Sequence, residues 1–369
     1  MLFHLTDADR IDSPALIVFP DIIKKNIQLA IQTVGGVNRL RPHVKTHKNP
    51  QVTRLMLDAG ITKFKCATIA EAEMLAKAEA PDVLLAYPLM GPKTRRFIAL
   101  AAAFPKTKFS CLIDDISTAR HVEEQFGEAG LRIGVYLDLN IGMNRTGIEP
   151  GQKALDLYAC LHQSKVLNLL GLHAYDGHIR HTDIGERKKI CDAGFEAVYQ
   201  LRDRITTAGM AIPNIIAGGS PTFPIHAERK DVECSPGTFV YWDRGYQLGC
   251  PEQRFEPAAC LLTRVISHPS DTIWCLDLGH KSVAAESEIT KRVYLPALTE
   301  YTPISQSEEH LVLTAPATME KKIKPGDVVF GIPWHICPTV ALYERVICVE
   351  NGKITGEWPN WARNRKREF

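Results

Sequence analysis

From residue 12 to about residue 240, short β-branched runs alternate with longer Ala- and Leu-rich amphipathic runs. No other feature constrains the fold as much, because each strand–helix unit returns the chain to the same end of a parallel sheet. Strands are predicted at 40–45, 63–67, 83–87, 109–113, 134–139, 169–175, 214–217 and 232–238, after an earlier apolar run at 15–19. Helix signals lie between them. Thr68 and Glu71 form a capping-box pair ahead of 72–80, and Ser117 precedes 120–126 with Gly127 and Gly130 behind it. Asp183 opens a long helical run that Gly209 closes. Eight such units are the number that closes a (β/α)8 barrel.

After about residue 250 the pattern changes. Strand-like runs at 259–265, 272–278, 310–313, 327–330 and 343–350 are separated by turns. Glu350-Asn351-Gly352-Lys353 reads as a hairpin turn on Asn-Gly. The predicted fold class is therefore α/β, with a TIM-like barrel over 12–245 and a mostly β domain over 250–369, on which residues 1–11 pack. Hydrophobic residues make up 45% and charged residues 23% of the 369, the mix of a globular enzyme-sized chain. A net charge of +2 offers nothing to nucleic acid or an acidic membrane, and no apolar stretch is long enough to span a bilayer. Ten scattered cysteines without a CxxC pair fit reduced thiols, and with no signal peptide visible at residues 1–10 the expectation is a cytoplasmic protein.

The segment Arg41-Pro42-His43-Val44-Lys45-Thr46-His47-Lys48 carries the strongest chemical signal. On a strand, Arg41, His43, Lys45 and His47 share one face and Lys48 points away. Such a cationic face is costly to bury unless an anion or covalent ligand meets it. A lysine crowded by cations and taken out of water is also easier to deprotonate, as a Schiff-base lysine requires. A basic edge strand with solvated side chains is the alternative. In a (β/α)8 barrel the active site lies at the C-terminal ends of the strands, with phosphate after strands 7 and 8. The seventh predicted strand ends in Gly218-Gly219-Ser220-Pro221-Thr222, where backbone N–H groups and hydroxyls suit a phosphate. The eighth leads through Ser235-Pro236-Gly237-Thr238 to Tyr241. Arg145 sits in the loop Gly142–Gly147 after the fifth strand, placed for an anion or phenolate. His173 and Tyr175 share a face of the sixth, and a buried, satisfied pair is the simpler reading for His173. In the β domain His335 and Cys337 lie two apart, so a strand would aim both at one metal ion, Zn2+ before Mn2+ or Mg2+. The basic C-terminal run 363–367 reads as a solvated end.

Taken in order, residues 41–48, 142–147, 174–177, 218–222 and 335–339 resemble the fold-type III pyridoxal-phosphate (PLP) enzymes. Within them the match is to the D-serine dehydratase / D-threonine aldolase family, over nearly the whole chain. The resemblance implies an alanine racemase-like barrel with a β domain, working as a homodimer on a small D-amino acid. It implies Lys45 as the Schiff-base lysine, with Arg41, His43 and His47 as the groups that tune it and His43 among the cofactor contacts. Arg145 then contacts the phenolic oxygen of PLP, and Tyr175 lies near the pyridine ring. Gly218, Gly219, Ser220, Thr222 and Tyr241 form the phosphate cup, and His335 and Cys337 hold a divalent metal. The family's dehydratases typically carry His-x-Cys and its aldolases His-x-Asp, so Cys337 favours a D-serine dehydratase-like activity. D-threonine aldolase-like cleavage is the alternative. A racemase and a non-catalytic PLP-binding protein are more distant ones. Residues 276–281 also match the family, without an assigned role.

Overall fold

The computed structural model describes residues 5–211, 213–318 and 323–369. Strand β1 (Ala15–Val18) is followed by seven parallel strands that hydrogen-bond in chain order. These are β2 (Lys63–Cys66), β3 (Asp82–Pro88), β4 (Lys108–Ile113), β5 (Ile133–Leu139), β6 (Leu167–Ala174), β7 (Asn214–Ala217) and β8 (Val232–Cys234). Helices α1 (Pro20–Val34), α2 (Pro50–Asp58), α3 (Ile69–Lys77), α4 (Pro92–Ala103), α5 (Ile116–Glu128), α6 (Gln152–Gln163), α7 (Ile184–Thr207) and α8 (Phe223–Glu228) provide the connections. The predicted caps at Thr68 and Asp183 form, each side chain accepting a backbone N–H of the first turn. Asp115, rather than Ser117, caps α5, because its carboxylate accepts from both Ser117 N and Thr118 N.

The expected strand at 40–45 does not form. Leu40 bridges Cys234 and His43 bridges Lys65, so this short stretch closes the barrel between β8 and β2. Arg41 N–H donates to Cys234 O, and Lys65 N–H to Pro42 O. The chain then turns, with Lys48 N–H bonded to Val44 O. The alternation of faces is lost with the strand. Arg41 is 1% exposed and lies inside the barrel, its Nε 2.9 Å from Glu233 and its Nη1 2.6 Å from Asp82. Lys48 pairs with the buried Glu71, whose other oxygen accepts Ala67 N–H. His47 accepts Asn49 N–H, and Tyr241 lies edge-on to it. Arg41, His47 and Lys48 thus go to separate places, each with its own partners.

The barrel interior is layered. Arg41 with Asp82 and Glu233 makes one polar layer, and Leu84, Leu112, Tyr136 and Ile216 make an apolar one. A second polar layer of Lys65, Asp138 and His173 follows, and each of the three is under 5% exposed.

The second sheet contains β9 (Ala259–Ser270), β10 (Ile273–Leu276), β11 (Val293–Tyr294), β12 (Thr302–Gln306), β13 (Leu311–Thr314), β14 (Val328–Pro333), β15 (Arg345–Glu350) and β16 (Lys353–Pro359). β1 belongs to this sheet, antiparallel to β9 and parallel to β15, although its position in the chain adjoins the barrel. Its four apolar residues are all buried, as a central strand requires. The β15–β16 hairpin turns on Asn351 and Gly352, both at positive φ, as the Asn-Gly pair predicted. β12 escaped sequence reading because Pro303 interrupts it, which its edge position tolerates.

The 276–281 segment has a structural use. The Asp277 carboxylate binds the hydroxyls of Ser13 and Thr263 and the N–H of Arg264. The C-terminal run is docked at its two ends, while residues 364–366 are exposed as expected. Arg363 donates to Ala341 O, Arg367 to Trp361 O, and Phe369 packs edge-on against Phe104. All ten cysteines are free thiols, and among the described residues no helix is long and apolar enough to cross a membrane.

Candidate active site

Lys45 stands on the turn that closes the barrel, half-buried, beside Tyr175 at the end of β6. Three cations surround that ring: the Nζ atoms of Lys45 and Lys65 lie 5.9 and 5.8 Å from its centroid, and the Arg145 guanidinium 5.0 Å. The ring is seated by backbone. A Cβ on Gly177 would fall 2.2 Å from the Tyr175 hydroxyl, and one on Gly219 3.0 Å from its Cε2. Arg145 is carried by a loop that Asn140 pins, its side chain accepting from Gly142 N and Asn144 N. His43 is buried and accepts Lys45 N–H on Nδ1. Burial and the neighbouring Lys45 and Lys65 charges hold it well below the usual histidine range.

Below Tyr175 runs a chain that sequence reading missed in part. Lys65 Nζ is 3.5 Å from His173 Nε2, His173 Nδ1 is 2.7 Å from Asp138, and Thr146 donates to the other Asp138 oxygen at 2.9 Å. Burial, with the charge of Lys45, pushes Lys65 down to about 7. His173 was expected to be a satisfied core residue and is one, but its partners are Asp138 and Lys65 rather than Tyr175. Lys65 sits on the short β2, and its identity as an inward residue is visible only once the barrel has closed.

The loops after β7 and β8 converge. Ser220 Oγ accepts from Gly237 N (3.4 Å) and Thr238 N (3.1 Å). Gly218 has φ 80°, and a Cβ there would lie 2.6 Å from His226 Cδ2. Thr222 is used differently from the expectation: fully buried, its hydroxyl donates to Asp176 and accepts Gly219 N–H, so it anchors the loop. Tyr241 follows the 3₁₀ turn Thr238–Val240 and is fully buried, edge-on to His47, with no partner for its hydroxyl among the described residues.

Asp176, Cys191 and His226 are the one trio of potential metal ligands close enough together among the described residues. The hydrogen bonds oppose that use. Arg229 donates to His226 Nδ1, so Nε2 must carry the proton that Asp176 accepts at 2.8 Å. The trio is therefore a closed network that fixes α8 beneath the Gly-Gly loop.

His335 and Cys337 do not share a strand. His335 is the N-cap of α10 (Ile336–Leu342), and Cys337 is its second residue. Asp243, the N-cap of α9 (Arg244–Gly249), holds this helix start against the barrel by accepting Ile336 N–H. The turn still brings the two side chains together. His335 Nδ1 is 2.5 Å from Glu286, which leaves Nε2 for the sulfur. Burial works against its charge, but the Cys337 sulfur and Glu286 outweigh that and raise it to about 9. Burial would raise the Cys337 thiol too, yet His335, Lys45 and Thr46 draw it down. Its Sγ is 3.1 Å from Thr46 Oγ1, one residue from Lys45.

These residues fit a phosphorylated, aldehyde-bearing cofactor. The glycine cradle admits backbone where a Cβ would clash, and no carboxylate pairs with Lys45 or Arg145 among the described residues. His335 and Cys337 offer one nitrogen and one sulfur donor side by side, a set that fits a soft divalent ion. The alanine racemase N-terminal domain family matches residues 19–245, and the "Putative serine dehydratase domain" family matches 258–349. The chain belongs to the D-serine dehydratase / D-threonine aldolase family of fold-type III PLP enzymes. It is a PLP-dependent lyase. D-threonine aldolase from Arthrobacter sp is 26% identical over 97% of this chain and 94% of its own. D-threo-3-hydroxyaspartate dehydratase from Delftia sp. (strain HT23) is 25% identical over 75% of this chain and 73% of its own. The crystal structure of D-threonine aldolase from Filomicrobium marinum superposes with a TM-score of 0.88 at 27% identity, covering 97% and 96% of the two chains.

Proposed function

We propose that this family member eliminates water from D-β-hydroxy amino acids, with D-serine as the simplest substrate, and needs a divalent metal, Zn2+, to do so. The observation that carries the reading is the thiolate-prone Cys337 beside Thr46 and Lys45, paired with His335. PLP, when bound, supplies an electron sink for charge at the substrate Cα, and the metal a Lewis acid for the departing hydroxide. The residues around them divide the remaining work. Lys45 takes the Cα proton as general base. Arg145 would hold the phenolic oxygen of the cofactor and Ser220 its phosphate, with Gly218 and Gly219 allowing close approach. The Cβ–O bond breaks, the hydroxide takes up a proton to leave as water, and the unsaturated product hydrolyses to ammonia and a 2-oxo acid.

Retro-aldol cleavage is the second reading, favoured by the near full-length similarity to D-threonine aldolases. One assay separates the two. The enzyme is incubated with D-serine, D-threonine and D-3-hydroxyaspartate, with chelator and with zinc restored. Ammonia and a 2-oxo acid, lost on chelation and regained with zinc, are expected. Glycine and an aldehyde as the products overturn elimination, and turnover indifferent to chelator removes the metal.

Glu286 was not visible to sequence reading, because it lies 49 residues from His335 on a loop without a motif. A carboxylate on the far nitrogen of a ligating histidine fixes its orientation and typically carries about 10–100-fold of metal affinity. Glu286→Gln is expected to weaken zinc by that factor in a competition titration with a coloured chelator.

A further inference from the structure

The barrel holds a second lysine at the same tyrosine as Lys45, and the reading above gives it no task. Lys65 is 2% exposed, projects from β2 into the barrel, and bridges in register with His43. Buried lysines are rare unless paired, yet among the described residues no carboxylate is in hydrogen-bond contact with Lys65. Its neighbour is an imidazole with a defined tautomer: His173 Nδ1 faces Asp138 at 2.7 Å, so it carries the proton there and leaves Nε2 as an acceptor for Lys65, 3.5 Å away. Thr146 donates to the second Asp138 oxygen. An amine here can gain or lose a proton without breaking the chain, because both of its forms donate to Nε2. Asp138 offsets the added charge through the imidazole.

The proposed reaction creates a need for such a group. Lys45 ends the Cα step as an ammonium, and it must be a free amine before it can bond to the cofactor again. We propose that Lys65, held by His173 and Asp138, is the proton-relay residue that relieves Lys45 of this proton. The transfer balances as Lys45–NH3+ plus Lys65–NH2 giving Lys45–NH2 plus Lys65–NH3+, and Lys65 is reset when that proton goes on to the departing hydroxide, which leaves as water. Both amines lie within 6 Å of the Tyr175 ring centroid. The charged groups bearing on Lys65 are Lys45 and Arg41 on the cationic side and Asp138 and Asp176 on the anionic side, with a neutral His43 in register and Arg145 at the same tyrosine ring. Burial and these charges leave Lys65 titrating near 7, close to where an acid–base group is most effective. Lys65 accepts a proton only when neutral, so turnover must rise as pH rises through that value.

The inference rests on the proposed lyase reading, so the experiment first separates the two. Holoenzymes of the wild type, Lys65→Met, Lys65→Arg and Asp138→Asn are reduced with borohydride and mapped. Pyridoxyl missing from Lys45 in the wild type counts against the cofactor reading itself, whereas its presence leaves the relay to be judged alone. The pH dependence of kcat and the pH titration of the bound cofactor's visible absorbance are then compared. The wild type is expected to show an ionisation near pH 7 in both. Lys65→Met should lower kcat at least about tenfold, the low end of acid–base contributions being larger still, and remove that ionisation. Asp138→Asn should move it. Lys65→Arg keeps the charge but cannot give up a proton, so it should not restore turnover, whereas ethylamine added to Lys65→Ala should restore part of it. A wild-type pH profile in Lys65→Met, or full activity in Lys65→Arg, overturns the relay: the first makes the residue a bystander, the second a fixed charge.

Discussion

Lys45→Ala is expected to lose about 10²–10⁴-fold in kcat, the range for removing a positioned general base, and with it the covalent attachment of PLP. Two properties make this the largest effect. The turn at 44–47 leaves Lys45 half-buried at the barrel mouth, whereas its cationic neighbours in sequence are engaged: Arg41 by Glu233 and Asp82, Lys48 by Glu71. Lys65, the other amine beside Tyr175, is held on His173 Nε2 within the barrel. The check is borohydride reduction and peptide mapping beside the rate measurement. Wild-type protein should yield pyridoxyl on Lys45 and the variant should not. Full activity in Lys45→Ala ends the cofactor reading.

The second large effect concerns the thiol. Cys337→Ser is expected to cost about 10²–10³-fold in elimination, because a Lewis acid supplies several kcal/mol of charge stabilisation at the leaving oxygen and each 1.4 kcal/mol is about tenfold. The substitution keeps size and a possible bond to Thr46, but a hydroxyl is a poorer ligand for a soft ion. The measurement is zinc content by elemental analysis together with 2-oxo acid formation. Metal content and rate should fall together. Normal zinc with a collapsed rate would place Cys337 in the chemistry rather than in metal binding. Normal rate without zinc would end the metal role.

Much of the barrel was legible because its strands are short β-branched runs with helix signals between them, and local signals of that kind survive without tertiary context. The strand at 214–217 forms with the predicted bounds. What failed were inferences that carried a local period past its end. Residues 40–45 alternate apolar and basic side chains, yet Pro42 and the turn at 44–47 stop the strand after a bridge. His335 and Cys337 meet across a helix start, where spacing by two serves as well as on a strand. Tyr241, which the resemblance places in the cup, packs against His47 after a single 3₁₀ turn that no periodicity signals.

The order of the chain alone was enough to specify a closed parallel barrel, a β domain after it, and a lysine at the barrel's first seam, because these depend on residue periodicity and on connection rules. The partners of each charge were beyond its reach. Lys65 is one polar residue in a four-residue strand until barrel closure sets it beside His173, 108 positions away, and Glu286 becomes a partner of His335 only when two loops of the β domain meet. Long-range contact of buried charges is a property of packing: the cost of desolvation is met by whichever group the fold brings within hydrogen-bond distance, and sequence separation carries no record of it.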